Sequence, residues 1–335
     1  MFGRCLASLL FVYGAAHAQQ QNVSAAESWK RHMDLGKKLA NRGQYASAKD
    51  EYEAALRAVK KIPSDGRAFL SRIGLGNVAA ATGHYTDAEQ WDNEAVREGM
   101  EVYGKDAPEL AAPFGNLAAL YRDQGDYVRA EEFSRRAVHL ISEQQPEMPA
   151  ARAELLGSLG GILSARGKLA EAEAALQQSI QIAEKLPGPS ELLAGDWNNL
   201  AGIYAKTGRK TEALAVYQKA YALYDRIGDM NNPNLFFILA GIAGVEGGLG
   251  HYPEAVRSIE SAIQRAEAGG PANTLQVRDA LLAEATWLHK LKREDEAKKV
   301  RAKAKQIAEA TSQNSYARFT VDAGQVAQTI VPPAK

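Results

Sequence analysis

The chain has 335 residues, 46% of them apolar and 24% charged, with 40 basic residues against 40 acidic ones. This balance excludes a disordered polyelectrolyte and supplies no net positive field to draw nucleic acid or an acidic surface. The length is too great for one small core and suits either one elongated array or two compact domains.

Residues 1–18 read as a secretory signal peptide. Arg4 follows the free amino group, CLASLLFVYGAA is an apolar run, and Ala16-His17-Ala18 is a small-x-small end before Gln19. The run is short for a bilayer span, so an uncleaved anchor is the weaker alternative. Cys5 precedes the apolar run, the wrong side for a lipid-modified cysteine. Cleavage after Ala18 removes this only cysteine, and with it any disulfide, thiolate nucleophile or Cys-bound metal. The expectation is an exported protein, periplasmic, or alternatively secreted or tethered by an uncleaved N-terminal segment. No integral membrane span is expected after cleavage. Residues 19–28 form a lead-in.

From residue 29 to 310 one pattern repeats, Gly-x-aromatic-x-x-Ala. Its turns fall at Gly43, Gly83, Gly125, Gly167, Gly208 and Gly250, with a degenerate seventh near Lys292, in steps of 40, 42, 42, 41, 42 and 42 residues. Three columns of small residues keep this register. Seven residues before each turn stand Gly36, Gly76, Ala118, Gly160, Ala201, Ala243 and Ala285. Five after it stand Ala48, Ala88, Ala130, Ala172, Ala213, Ala255 and Ala297, and seven further on Ala55, Ala95, Ala137, Ser179, Ala220, Ala262 and Ala304. Helices approach closely only where the side chains at their crossing are small. Each column therefore marks a helix–helix crossing repeated along the chain.

Each copy is thus predicted to be a helical hairpin whose glycine ends the first helix in a left-handed conformation. The connectors are richer in Pro and Gly, as in GKDAPELAAP, LPGPSE and GDMNNPN, and start the next helix rather than separate domains. Gly244 to Gly250 superficially resembles a phosphate loop, but it follows a helix and lacks the Lys-Ser/Thr ending, so it is read as a frayed helix end. In the last copy Glu294, Arg301 and Lys305 replace apolar residues, as a solvent-facing cap requires. Residues 311–335 carry no repeat and form a tail.

The array resembles the tetratricopeptide repeat, in the 42-residue form of kinesin light chains and many bacterial proteins. Trp197, Leu200, Ala201, Tyr204, Gly208, Ala213 and Ala220 stand where that family places them, and GKDAPELA is similar to its connector with Ala107 in place of His. Lys210 replaces the usual aromatic, Glu246 stands where Tyr121 and Tyr204 stand, and the first connector is short. The resemblance implies an all-α superhelix, a solenoid of about seven hairpins, with the first helices lining a concave groove.

Catalytic and metal signals are weak. The histidines left after loss of His17, namely His32, His84, His139, His251 and His289, make no His-x-x-x-His or Glu-x-x-His pair. The acidic residues are read as lying mainly in turns and on helix surfaces, which gives little support to a paired catalytic carboxylate, and the tyrosines as core. No cofactor and no metal are expected. Carried over residue by residue, the groove positions are Asn116, Ala119, Arg122 and Asp123 in the third copy, Ser158 and Arg166 in the fourth, and Asn198, Asn199, Gly202 and Lys206 in the fifth. Asparagine amides can pair with a peptide backbone, and the cations with acidic groups. The other reading of Asn116 and Asn199 is that they join neighbouring hairpins or face water. The expected function is a non-catalytic adaptor that binds a peptide or helix of a partner protein. A structural spacer acting through its outer faces or ends is the alternative, followed by an enzyme whose site the linear pattern hides.

Overall fold

The computed structural model describes residues 24–60, 65–141, 148–188, 190–228, 232–268 and 275–313. The signal segment 1–18 and most of the tail lie outside the described residues. Those described are helical, with no strand among them. In chain order the helices are α1 (24–40), α2 (Tyr45–Val59), α3 (Arg67–Ala81), α4 (Tyr85–Tyr103), a 3-10 turn (Pro108–Leu110), α5 (Ala111–Asp123) and α6 (Tyr127–Leu140). They continue as α7 (Pro149–Ala165), α8 (Leu169–Ala183), α9 (Glu191–Lys206), α10 (Lys210–Ile227), α11 (Asn234–Leu249), α12 (Tyr252–Ala268), α13 (Leu275–Lys290) and α14 (Glu294–Gln313). Odd and even helices pair as seven antiparallel hairpins. The chain divides into two compact units, Met1–Gln145 and Pro146–Lys335, so the first holds three of the hairpins and the second four.

One corner is built seven times. The turn residue has positive φ, from 71° at Gly43 to 84° at Gly250. Its amide donates to the carbonyl three residues back at 2.9–3.2 Å, and the next amide donates to the carbonyl five back at 2.8–3.0 Å. These are the paired bonds of a Schellman motif, and they satisfy carbonyls that the ending helix would otherwise leave bare. In the seventh corner Lys292 takes the same conformation at φ 60°, the only non-glycine with positive φ among the described residues. A side chain there is strained by about 1 kcal/mol. Lys292→Gly should therefore stabilise the last hairpin by up to about 0.5 kcal/mol after the added chain entropy is subtracted, read as a higher midpoint in chemical denaturation.

The small columns are the crossing points. All seven alanines from Ala48 to Ala297 in the second column are 0% exposed, and the other two columns are buried in every copy. A Cβ built on Gly160 would lie 2.6 Å from Leu176 Cγ, and one on Gly36 would lie 2.8 Å from Tyr52 Cε1. In the first, second and fourth hairpins the residue nine after the turn, Tyr52, Asp92 or Leu176, thus presses on the glycine seven before it. Ser179 is the one hydroxyl in its column, and its Oγ lies 2.6 Å from the Ala153 carbonyl and 2.5 Å from Asp196 Oδ2.

At Tyr52 and Tyr217 the residue nine after the turn also reaches the next hairpin. Tyr52 fills the notch above Gly74, and Tyr217 the notch above Gly241, where an added Cβ would lie 2.4 Å from the Tyr217 ring. Large knob and empty slot match in size, the close packing expected of an interior. The third hairpin adds a short aromatic stack, with Phe133 5.4 Å from Tyr121 and 6.0 Å from Phe114.

The expectation of a frayed end at Gly244 to Gly250 is corrected. Helix α11 continues through Leu249 and buries every residue from Ile238 to Val245. Its late glycines are small because neighbours occupy their space. A Cβ on Gly247 would lie 2.3 Å from Trp287 Nε1, and the Gly248 carbonyl accepts from Lys210 Nζ at 2.7 Å.

Candidate partner-binding surface

Within each unit the first helices of successive hairpins meet directly: α3 with α5, and α7 with α9, α9 with α11, α11 with α13. Among the described residues no two second helices do so. Hairpins that touch along one edge and spread along the other curve toward the touching edge. The odd helices therefore line the inner side of each unit's stack.

The seven expected groove residues fall on these inner helices in two groups. Asn116 and Arg122 lie on α5 in the first unit. Ser158 and Arg166 lie on and just after α7, with Asn198, Asn199 and Lys206 on α9, in the second. Arg122 is exposed and pairs with Asp123 at 2.9 Å. Arg166 is exposed where α7 ends, Ser158 and Asn198 are half-buried, and Asn199 is exposed. A Cβ on Gly161 of α7 would lie 3.8 Å from Asn199 Nδ2, so this amide lies across the seam between two inner helices. Lys206 reaches solvent, yet protein on several sides strips enough water to lower its ammonium pKa. A side chain that is both wet and surrounded is what a concave wall produces.

Asn116 takes the structural role that was the other reading of it. Its Nδ2 donates to Asn77 Oδ1 at 2.8 Å and to Asp92 Oδ1 at 3.1 Å, which ties α5 to α3 and α4. Both of its amide hydrogens are thereby used, while Asn77 remains exposed.

The acidic residues correct the surface reading made from sequence. Asp92, Asp196 and Glu284 are only 2%, 3% and 6% exposed. Burial raises the Asp92 carboxyl to about 7, partly offset by the Asn116 hydrogen bond, and raises Asp196 to about 6 against the Ser179 bond. Glu284 rises to about 7 through burial, with Glu260 adding repulsion. The register contained the signal. Asp92 stands nine after its turn, the place of Tyr52 and Tyr217, and Glu284 stands eight before its turn, the place of Leu75, Leu117, Leu159 and Leu200.

No helix among the described residues is long and apolar enough to cross a membrane, and no group of three or more His, Cys, Asp or Glu among them could hold a metal ion. The family model of the MalT-like TPR region matches residues 39–232, more than half of the chain. The chain belongs to the MalT-like TPR family.

Solved structures share the TPR fold. A tetratricopeptide repeat protein from Parabacteroides merdae is 15% identical, with TM-score 0.54, covering 91% of this chain and 99% of its own. BtubC (BKLC) from P. vanneervenii is 17% identical, with TM-score 0.53, covering 63% of this chain and 92% of its own. A Rap protein complexed with competence and sporulation factor is 14% identical, with TM-score 0.54, covering 85% of this chain and 76% of its own. At these identities the likeness is one of TPR fold. No curated protein shows a significant match.

Proposed function

We propose that this TPR chain is a non-catalytic adaptor that binds a segment of a partner protein along the inner helices of its hairpins. The carrying observation is the polar wall of α9, where Asn198 is half-buried, Asn199 lies over the α7 seam, and Lys206 is wet yet surrounded. Amides at a helix seam suit a peptide main chain, and a partly desolvated ammonium favours a carboxylate. The Rap protein solved with its factor is a precedent on a related fold. The turn spacing favours the 42-residue, kinesin-light-chain-like type of repeat. The first eighteen residues favour export to the periplasm.

One experiment tests these readings together. A tagged full-length chain is expressed in its native host, the periplasmic fraction is recovered, the N-terminus is sequenced, and bound partners are crosslinked. The expected result is a chain beginning at Gln19, with crosslinks mapping to α7 and α9. Replacing Asn198, Asn199 and Lys206 together by alanine should reduce capture by at least about tenfold, the equivalent of about 1.4 kcal/mol. Capture that survives this change while depending on α14 would favour the spacer reading.

A further inference from the structure

The slot filled by Tyr52 above Gly74, and by Tyr217 above Gly241, is filled between the second and third hairpins by a polar pair, Asp92 with Asn116. Asp92 is 2% exposed and lies so close under Gly76 that an added Cβ would sit 2.8 Å from Oδ1. Burying a carboxyl where an aromatic serves elsewhere weakens the packing. The arrangement instead connects a buried proton site to the inner surface through one amide. While Asp92 is ionised it can only accept, so Asn116 must turn Nδ2 toward it, and Nδ2 also serves Asn77. The Asn116 Oδ1 and the Asn77 amide hydrogens are then left for a ligand. A protonated Asp92 instead needs an acceptor for its O–H, and Asn116 is the carboxyl's only hydrogen-bond partner among the described residues.

We propose that one proton, taken from solvent by Asp92, turns the Asn116 amide over, and Asn77 with it, so that the acceptor and the donor this pair presents on the inner surface exchange places. In the ionised state Asn116 suits a main-chain N–H of a bound segment and Asn77 a carbonyl, and in the protonated state the two preferences are exchanged. This rests on the inner-surface binding reading given above. Burial places the Asp92 transition at about 7, where small changes of pH shift its population.

The charged groups around α4 are engaged elsewhere. From α3, Arg72 bonds Glu94 at 3.2 Å and also Glu98. From α5, the Tyr121 hydroxyl donates to Glu89 at 2.6 Å, and Arg122 pairs with Asp123. Glu109 of the 3-10 turn acts on Tyr103. Burial raises the Asp92 carboxyl, and the Asn116 hydrogen bond lowers it.

The test is an NMR titration of the full chain, labelled with 15N at asparagine side chains and 13C at aspartate carboxyls, from about pH 5 to about pH 9. The Asn116 and Asn77 NH2 signals should move together with a single midpoint that coincides with the Asp92 carboxyl. They should stay still in Asp92→Asn, which keeps the size and the acceptor. An Asp92 that titrates while the Asn116 signals remain fixed would overturn the switch, as would an Asp92 that does not titrate in this range. Failure of the unmodified chain to capture a partner, with the titration intact, would count against the binding reading alone.

Discussion

Leucine in place of Gly241 should lower the unfolding free energy of the second unit by about 2–3 kcal/mol, read by calorimetry and by denaturant midpoint. The slot is already full, because a Cβ at Gly241 would lie 2.4 Å from Tyr217 Cζ, and Tyr217 is itself only 4% exposed. Its hydroxyl is buried so fully that its pKa is driven upward by desolvation, so the ring has no route out to water. Tyr217→Ala alone should cost about 3–5 kcal/mol through the cavity it leaves. The double variant should be less damaged than the sum of the two, with a coupling of about 1–3 kcal/mol, since the leucine can enter the space that the ring vacates. Gly202 is the control. Its Cβ would meet the Tyr217 hydroxyl at 3.6 Å, an ordinary contact. Gly202→Ala should therefore gain up to about 1 kcal/mol from helix propensity. Strict additivity of Gly241→Leu and Tyr217→Ala would disprove the knob-and-slot account.

Asp92→Asn should stabilise the first unit at pH 8 and have little effect at pH 4. The folded Asp92 carboxyl sits at about 7, against an ordinary value of 3.8. Between those values the folded chain holds more protons than the unfolded one, so stability falls as pH rises through this window and levels off above it. Asp196, at about 6, and Glu284, at about 7, act in the same direction in the second unit. Removing the Asp92 ionisation should recover on the order of 2–4 kcal/mol at pH 8 and flatten the decline of that unit's stability with pH. Thermal melts of both proteins from pH 4 to pH 8 check it. Parallel curves would mean that Asp92 is not the titrating group.

Much of the fold was legible because one constraint was written seven times. Small residues at Ala130, Ala172 and Ala213 and turn glycines with a fixed spacing leave few alternatives to stacked hairpins, and these three alanines are buried as that reading requires. The corner at Lys292 was visible only as a degenerate copy, because its left-handed backbone carries no glycine to announce it. The polar interior was hidden for a different reason. Asp92 looks like any acidic residue on an amphipathic helix until position nine after one turn is set against position nine before the next. That comparison pairs Tyr52 with Gly74 and Asp92 with Asn116. The sequence marks Asn116 both as a groove residue and as a link between hairpins, and its bonds to Asn77 and Asp92 join the second hairpin to the third.

The identical corners carry a consequence for how such a chain changes over generations. A recombination event that removes or duplicates about 42 residues rejoins two ends of the same shape, since every corner is closed by the same pair of main-chain bonds. The junction survives only if it also preserves a knob with its slot. Excision of the whole fifth copy would set Leu176 against Gly241 and leave a void. Excision of the sixth would press Tyr217 onto Ala283, which has no room for it. The ancestry of these modules should therefore be written in linked pairs that straddle neighbouring copies, with the break points falling inside helices rather than in the connectors.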